Sequence, residues 1–147
     1  MNRQSAVVIA LLAFALAAPS LAAKKTPAEK LITSLQRAEY FSVWGVGRAG
    51  TPTANEQKLH AFMEQKPSIE DAFLLINEGT SAGKIYGLLA LKKLSPNHFE
   101  KLVPKFFRSR TMVKTLCGCD TQPSIEATGT LVKQISAGQI ALPKKRQ

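Results

Sequence analysis

The sequence predicts a mainly α-helical protein: a small irregular helical bundle or short stacked helical hairpins, about six helices in all, with a minor two-stranded element. Three observations predict it. Helix-start signals recur along the chain, each followed by apolar residues at helical spacing. The connections between these runs are only a few residues long, which favours packed helical neighbours. Two stretches, Tyr40 to Val46 and Thr111 to Cys117, are aromatic or rich in Thr and Val and lack that spacing. They either pair with each other or serve as extended connections.

The elements follow in order. Thr26-Pro27-Ala28-Glu29 is a capping box with proline at the first helical position, and Leu31, Ile32 and Leu35 follow on one face. Thr53-Ala54-Asn55-Glu56 repeats the box ahead of Leu59, Phe62 and Met63. Ser68 caps a third helix whose Ile69, Ala72, Phe73 and Ile76 fall at i, i+3, i+4 and i+7, and Gly79 ends it. A fourth helix, with Ile85, Leu88, Leu89 and Leu91, is apolar nearly all round, the signature of a central buried helix. Ser95-Pro96 opens a fifth, carrying Phe99, Leu102, Val103 and Phe106, and Pro104 should kink or shorten it. A sixth is expected from about Pro123 to Ala137 through Thr128, Leu131, Val132 and Ile135, with Gly138 as its stop.

The second to fifth helices also form a quasi-repeat. The caps Thr53 and Thr80 lie 27 positions apart, and Pro67 and Pro96 lie 29 apart. Two such hairpins resemble α-solenoid repeats of the HEAT type over about 55 residues, on helix length alone and without a diagnostic motif. An irregular bundle accommodates the same helices without a repeat.

Residues 1–23 read as a cleavable secretory signal peptide. Arg3 charges the short leader, Ala6 to Ala18 is an unbroken apolar run of 13 residues, and Pro19 breaks it. Ser20-Leu21-Ala22-Ala23 then supplies the small residues that a signal peptidase requires. The run falls short of the roughly 20 residues needed to span a bilayer. The expected organisation is therefore a signal at 1–23, one helical domain over 24–142 and a basic disordered tail at 143–147. Periplasmic or secreted residence follows, with no membrane-spanning segment.

The chain has 147 residues, with 20 Lys and Arg against 10 Asp and Glu. Removing the signal leaves 124 residues, enough to bury a core without metals or disulfides. Basic residues concentrate at Lys101, Lys105, Arg108, Arg110 and Lys114, and again in Lys144-Lys145-Arg146. Such a patch in the cytosol would point to nucleic acid. Export removes that partner and leaves an exported or envelope protein, or an anionic envelope surface, with a merely solvated basic face as the plainest account.

Two motifs carry candidate chemistry. Gly45-Val46-Gly47-Arg48-Ala49-Gly50 matches the dinucleotide fingerprint literally, but the next helix starts beyond it and leads into another helix rather than a parallel strand. The motif reads as a Gly/Pro connection, in which Arg48 and freed amides could hold at most a single anion. Cys117-Gly118-Cys119 holds both cysteines. In an oxidising compartment the pair is either a local bridge that fixes a turn or two partly buried thiols, with thiol–disulfide chemistry as the more reactive alternative.

His60 and His98 fall on different helices, so no metal site is expected, and no cofactor either. Tyr40 and Trp44 flank the glycine-rich stretch and read as core aromatics rather than an exposed binding pair. No catalytic set is legible. The expected function is a non-enzymatic protein-binding module of the inhibitor, immunity or accessory kind. Its expected contacts are Arg48, Lys101, Lys105, Arg108 and Arg110; the alternatives are a binder of anionic surfaces and a thiol–disulfide protein using Cys117 and Cys119.

Overall fold

The computed structural model describes residues 26–47, 49–116, 118 and 122–142. The signal segment, Arg48, both cysteines and the basic tail lie outside the described residues. Among the described residues six α-helices and one small sheet are present. The helices are α1 (Pro27–Gln36), α2 (Ala54–Glu64), α3 (Ile69–Glu78), α4 (Ser81–Leu94), α5 (Pro96–Leu102) and α6 (Thr128–Ser136). The strands are β1 (Met112–Thr115) and β2 (Ser124–Ala127). The protein is mainly α with a minor two-stranded antiparallel sheet.

The helix starts are where local chemistry puts them. Thr26 with Glu29, Thr53 with Glu56, and Ser68 with Asp71 each form a reciprocal capping box. Each box satisfies two orphan backbone donors, and removing such a cap costs about 1 kcal/mol. Thr80 caps α4 through Gly83 N–H, and Gly79 ends α3. Pro104 shortens α5, which passes into a 3-10 turn over Val103–Phe106. Gly138, with φ +78, follows α6 in the left-handed region that glycine adopts without strain.

α4 is the centre of the molecule. All of the ten positions from Ala82 to Leu91 except Lys84 are buried, on every side of the helix. α3 packs along α4 on one flank, α1 packs along α2, and α5 and α6 also meet α4. The helices thus pair as α1 with α2 and α3 with α4, one helix out of step with the quasi-repeat of the sequence. Gly87 permits the α3–α4 approach, because a Cβ there would come within 2.8 Å of Leu75 Cβ and Ile76 Cγ1. Leu35, Phe41, Leu59, Phe62, Leu75, Leu88, Leu131 and Ile135 are all essentially inaccessible. Each contributes roughly 1.5–3 kcal/mol of hydrophobic stabilisation.

The minor two-stranded element is present, and of the two stretches read as extended only the second enters it, Tyr40 to Val46 serving as an extended connection. β1 occupies the Thr111–Cys117 stretch, but its antiparallel partner is β2, in the register Met112↔Ala127 to Thr115↔Ser124. Tyr40 to Val46 forms no strand and makes isolated bridges only, parallel from Phe41 to Thr115 and from Val46 to Gly118, and antiparallel from Val46 to Thr51. The sixth helix accordingly begins at Thr128, not near Pro123, because Ser124–Ala127 is drawn into the ladder. Within α6 the expected face holds: Thr128, Leu131, Val132 and Ile135 are buried.

The chain between α1 and α2 packs on this core, fixed by side chains as well as by its isolated backbone bridges. Tyr86 of α4 accepts Ser42 N–H at 2.9 Å and reaches the Ser42 carbonyl at 3.2 Å. Asn55 Nδ2 donates to the Tyr40 carbonyl at 3.0 Å. Glu56 is buried, and its Oε2 accepts Gly45 N–H at 3.0 Å beside Thr53 N–H at 3.4 Å. Trp44 is half-buried and meets the Phe41 ring edge-on at 5.8 Å, as befits a core aromatic.

Candidate functional site

The basic residues of the sequence come together along one continuous segment. Lys101 stands near the end of α5, Lys105 in the 3-10 turn, and Arg108 and Arg110 in the connection that enters β1; all four are exposed. The connection is held in place from α6, where Gly129 N–H donates to the Ser109 carbonyl and Thr128 N–H to the Thr111 carbonyl. The ribbon of β1 and β2 therefore continues the basic segment in space as well as in sequence.

Burial alternates along β1: Val113 and Thr115 are buried while Met112 and Lys114 are exposed. Cross-strand partners share a face, so Met112, Lys114, Ile125 and Ala127 form the outer surface of the ribbon. Met112 is 55 % and Ile125 62 % exposed, the two most exposed of the large apolar side chains. Arg110 stands two residues before Met112, so cation, apolar side chain and cation succeed one another along this edge of the molecule.

The backbone of β2 adds a second property. Phe41 N–H donates to the Lys114 carbonyl, and Leu116 N–H to the Phe41 carbonyl, so the polar groups of Lys114 face away from β2. Lys114↔Ile125 is therefore a non-hydrogen-bonded pair, and the N–H and C=O of Ile125 point outward. Among the described residues β2 has β1 as its sole neighbour in the sheet, leaving its other edge unpaired.

The glycine-rich stretch meets Gly118. Val46 bridges Thr51 across a tight loop and Gly118 on the other side, and Gly47 N–H donates to the Gly118 carbonyl at 2.9 Å. Gly45, Gly47 and Gly50 all have positive φ. The loop is thus a turn anchored on Glu56. It is followed by α2 and then α3, as the sequence implied. His60 is on α2 and His98 on α5, where Nδ1 lies 2.7 Å from Ser95 Oγ and the ring meets Phe73 edge-on. Among the described residues no group of three His, Cys, Asp or Glu side chains is placed to hold a metal, and no helix is long and apolar enough to cross a membrane.

Sequence reasoning found the cations and missed Met112 and Ile125. Four-residue strands are too short to display an alternation, and Ile125 was absorbed into the expected sixth helix. Comparison with known proteins identifies no matching family model, no similar curated protein and no similar solved structure.

Proposed function

We propose that this protein is an exported, non-enzymatic binding module that engages an acidic partner protein through the outer face and free edge of the β1–β2 ribbon. The observation that carries the reading is the coincidence of three properties at one place. Met112 and Ile125 offer apolar side chains to solvent. Lys114 lies across from Ile125, and the exposed Arg108 and Arg110 precede Met112 in the chain. The outward backbone groups of Ile125 are free to pair with an added strand, whose hydrogen bonds supply affinity while side chains on the shared face supply selectivity. The cations steer an acidic partner and make its capture salt-sensitive.

The same cations and apolar pair also suit an anionic lipid surface. The unpaired strand edge favours protein, because a bilayer surface offers no partner for a directional row of backbone donors and acceptors. Export rests on residues 1–23 and is tested separately, by N-terminal sequencing of the protein recovered outside the cytoplasm.

Pull-down from an envelope extract at low salt tests the binding. A partner retained by the wild type should be lost with Met112→Ser/Ile125→Ser and with Arg110→Glu, and kept with the distant variant Lys93→Gln. Sedimentation of the wild type with anionic vesicles, alongside equal capture by all variants, would replace this reading with surface binding.

A further inference from the structure

A cleft of about 570 Å³ lies between α1 and α2. One wall is a polar face of α1. Lys30, Thr33, Ser34 and Arg37 fall at i, i+3, i+4 and i+7, and all line the cleft. The other wall is the start of α2, with Asn55 and Lys58, and the chain at Glu39 and Tyr40 closes one end. Three cations thus face a single acid, Glu39, among the described lining residues. Lys30 and Arg37 are seven positions apart, about 10 Å along a helix axis. Ser34 stands between them, and the half-buried Tyr40 and the buried Asn55, which donates to the Tyr40 carbonyl, add polar groups suited to neutral hydroxyls.

We infer that this cleft binds a compact hydroxylated dianion, a sugar bisphosphate or sugar dicarboxylate, with one anionic end at Lys30 and the other at Arg37. Lys58 strengthens the field from the opposite wall. The volume is in the ordinary range for small-molecule sites, about 300–1,000 Å³. An extended six-carbon chain with a charged group at each end spans the separation of the two α1 cations once their flexible stems are allowed for. Charge-assisted contacts at the ends fix register, and the polar centre favours hydroxylated over plain hydrocarbon stems. The inference does not depend on the ribbon: Lys30, Arg37 and Lys58 lie outside it, and Glu39 alone of the charged lining residues also borders Met112 and Lys114.

Isothermal titration of the full chain with glucarate and with fructose 1,6-bisphosphate tests it, with sorbitol, inorganic phosphate and adipate as comparison probes. Saturable binding of at least one hydroxylated dianion is expected, with no binding of sorbitol and weaker binding of phosphate and adipate. Response to glucarate alone assigns carboxylate ends, and response to the bisphosphate alone assigns phosphate ends. Lys30→Gln and Arg37→Gln should each weaken binding about tenfold, and Ser34→Ala should narrow the preference over adipate. These side chains are at the surface, and unchanged circular dichroism verifies that the variants fold. Absence of saturable binding by both dianions overturns the inference. So does binding matched by inorganic phosphate, or binding indifferent to Lys30→Gln and Arg37→Gln.

Discussion

The Tyr86 hydroxyl accepts the backbone N–H of Ser42 at 2.9 Å, joining the centre of α4 to an irregular segment 44 positions earlier in the chain. Both residues are fully buried. The bond stands in for the ladder that Tyr40 to Val46 does not form. Tyr86→Phe keeps the ring and its contact with Phe41 but leaves the Ser42 N–H unsatisfied in the interior. A loss of about 1–3 kcal/mol is expected, read as a lower urea midpoint with an unchanged m-value.

Ser42 carries the opposite prediction. Its hydroxyl is buried and, among the described residues, has no hydrogen-bond partner. Ser42→Ala removes that desolvated group and leaves the backbone bonds to Tyr86 intact. Stability should stay level or rise by about 1 kcal/mol, measured by the same titration. A loss above about 1 kcal/mol would mean that the hydroxyl is satisfied in solution.

The same tyrosine predicts an alkaline limit. Burial holds the Tyr86 hydroxyl well above the usual phenol range, and its bond with the Ser42 backbone offsets only part of that rise. Below about pH 10 the phenol is neutral in both the folded and unfolded chain and adds no pH dependence. Above it the unfolded chain gives up the proton while the folded protein retains it. Stability should therefore fall by about 1.4 kcal/mol per pH unit on this account, until the native hydroxyl itself ionises. Wild type and Tyr86→Phe should show the same slope from about pH 8 to 10, and above about pH 10 the variant's slope should be shallower by up to one proton. Equal slopes in that upper range would refute the assignment.

What could be read from the sequence was local. The boxes at Thr26 and Thr53 involve groups three residues apart, and the buried faces of α4 and α6 follow from helical spacing. What escaped was long-range. Glu56 is legible as a capping residue, but its bond to Gly45 depends on where the loop is carried. Ser124–Ala127 became a strand because β1 lies alongside, and nothing within those four residues overrides a helical reading. The i, i+3, i+4, i+7 row from Lys30 to Arg37 was there to be seen as a polar face. It became a cleft only once α2 packed beside it.

The glycine-rich loop offers a paired test of backbone strain against crowding. Gly45 and Gly47 have almost the same φ, +69 and +71. A Cβ at Gly45 would lie 2.3 Å from the Gly50 carbonyl oxygen, whereas at Gly47 it would meet nothing within 4 Å. Gly47→Ala should cost only the left-handed penalty, about 1–2 kcal/mol. Gly45→Ala should cost distinctly more, since the obstacle is backbone and the Glu56 anchor must shift with it. Urea midpoints give the order, and fluorescence of the adjacent Trp44, the only tryptophan, should change in Gly45→Ala alone.

Lys92 closes the far side of the molecule. Its Nζ donates to the Ile135 carbonyl and, at 3.3 Å, to the Ser136 carbonyl, covering the last carbonyls of α6 from the end of α4. It also lies 5.7 Å from the Phe99 ring centroid, so one cation joins α4, α5 and α6. A positive charge at a helix C-terminus is favourable, more so when partly buried. Lys92→Met keeps the aliphatic stem but deletes these donors, and a loss of about 1–2 kcal/mol is expected. The exposed neighbour Lys93 has no such role, and Lys93→Met should fall within about 0.5 kcal/mol of wild type. Amide exchange locates the effect: protection in α6 should drop in Lys92→Met while α3 keeps its wild-type rates. A uniform drop across both helices would instead mean that the lysine supports the core as a whole.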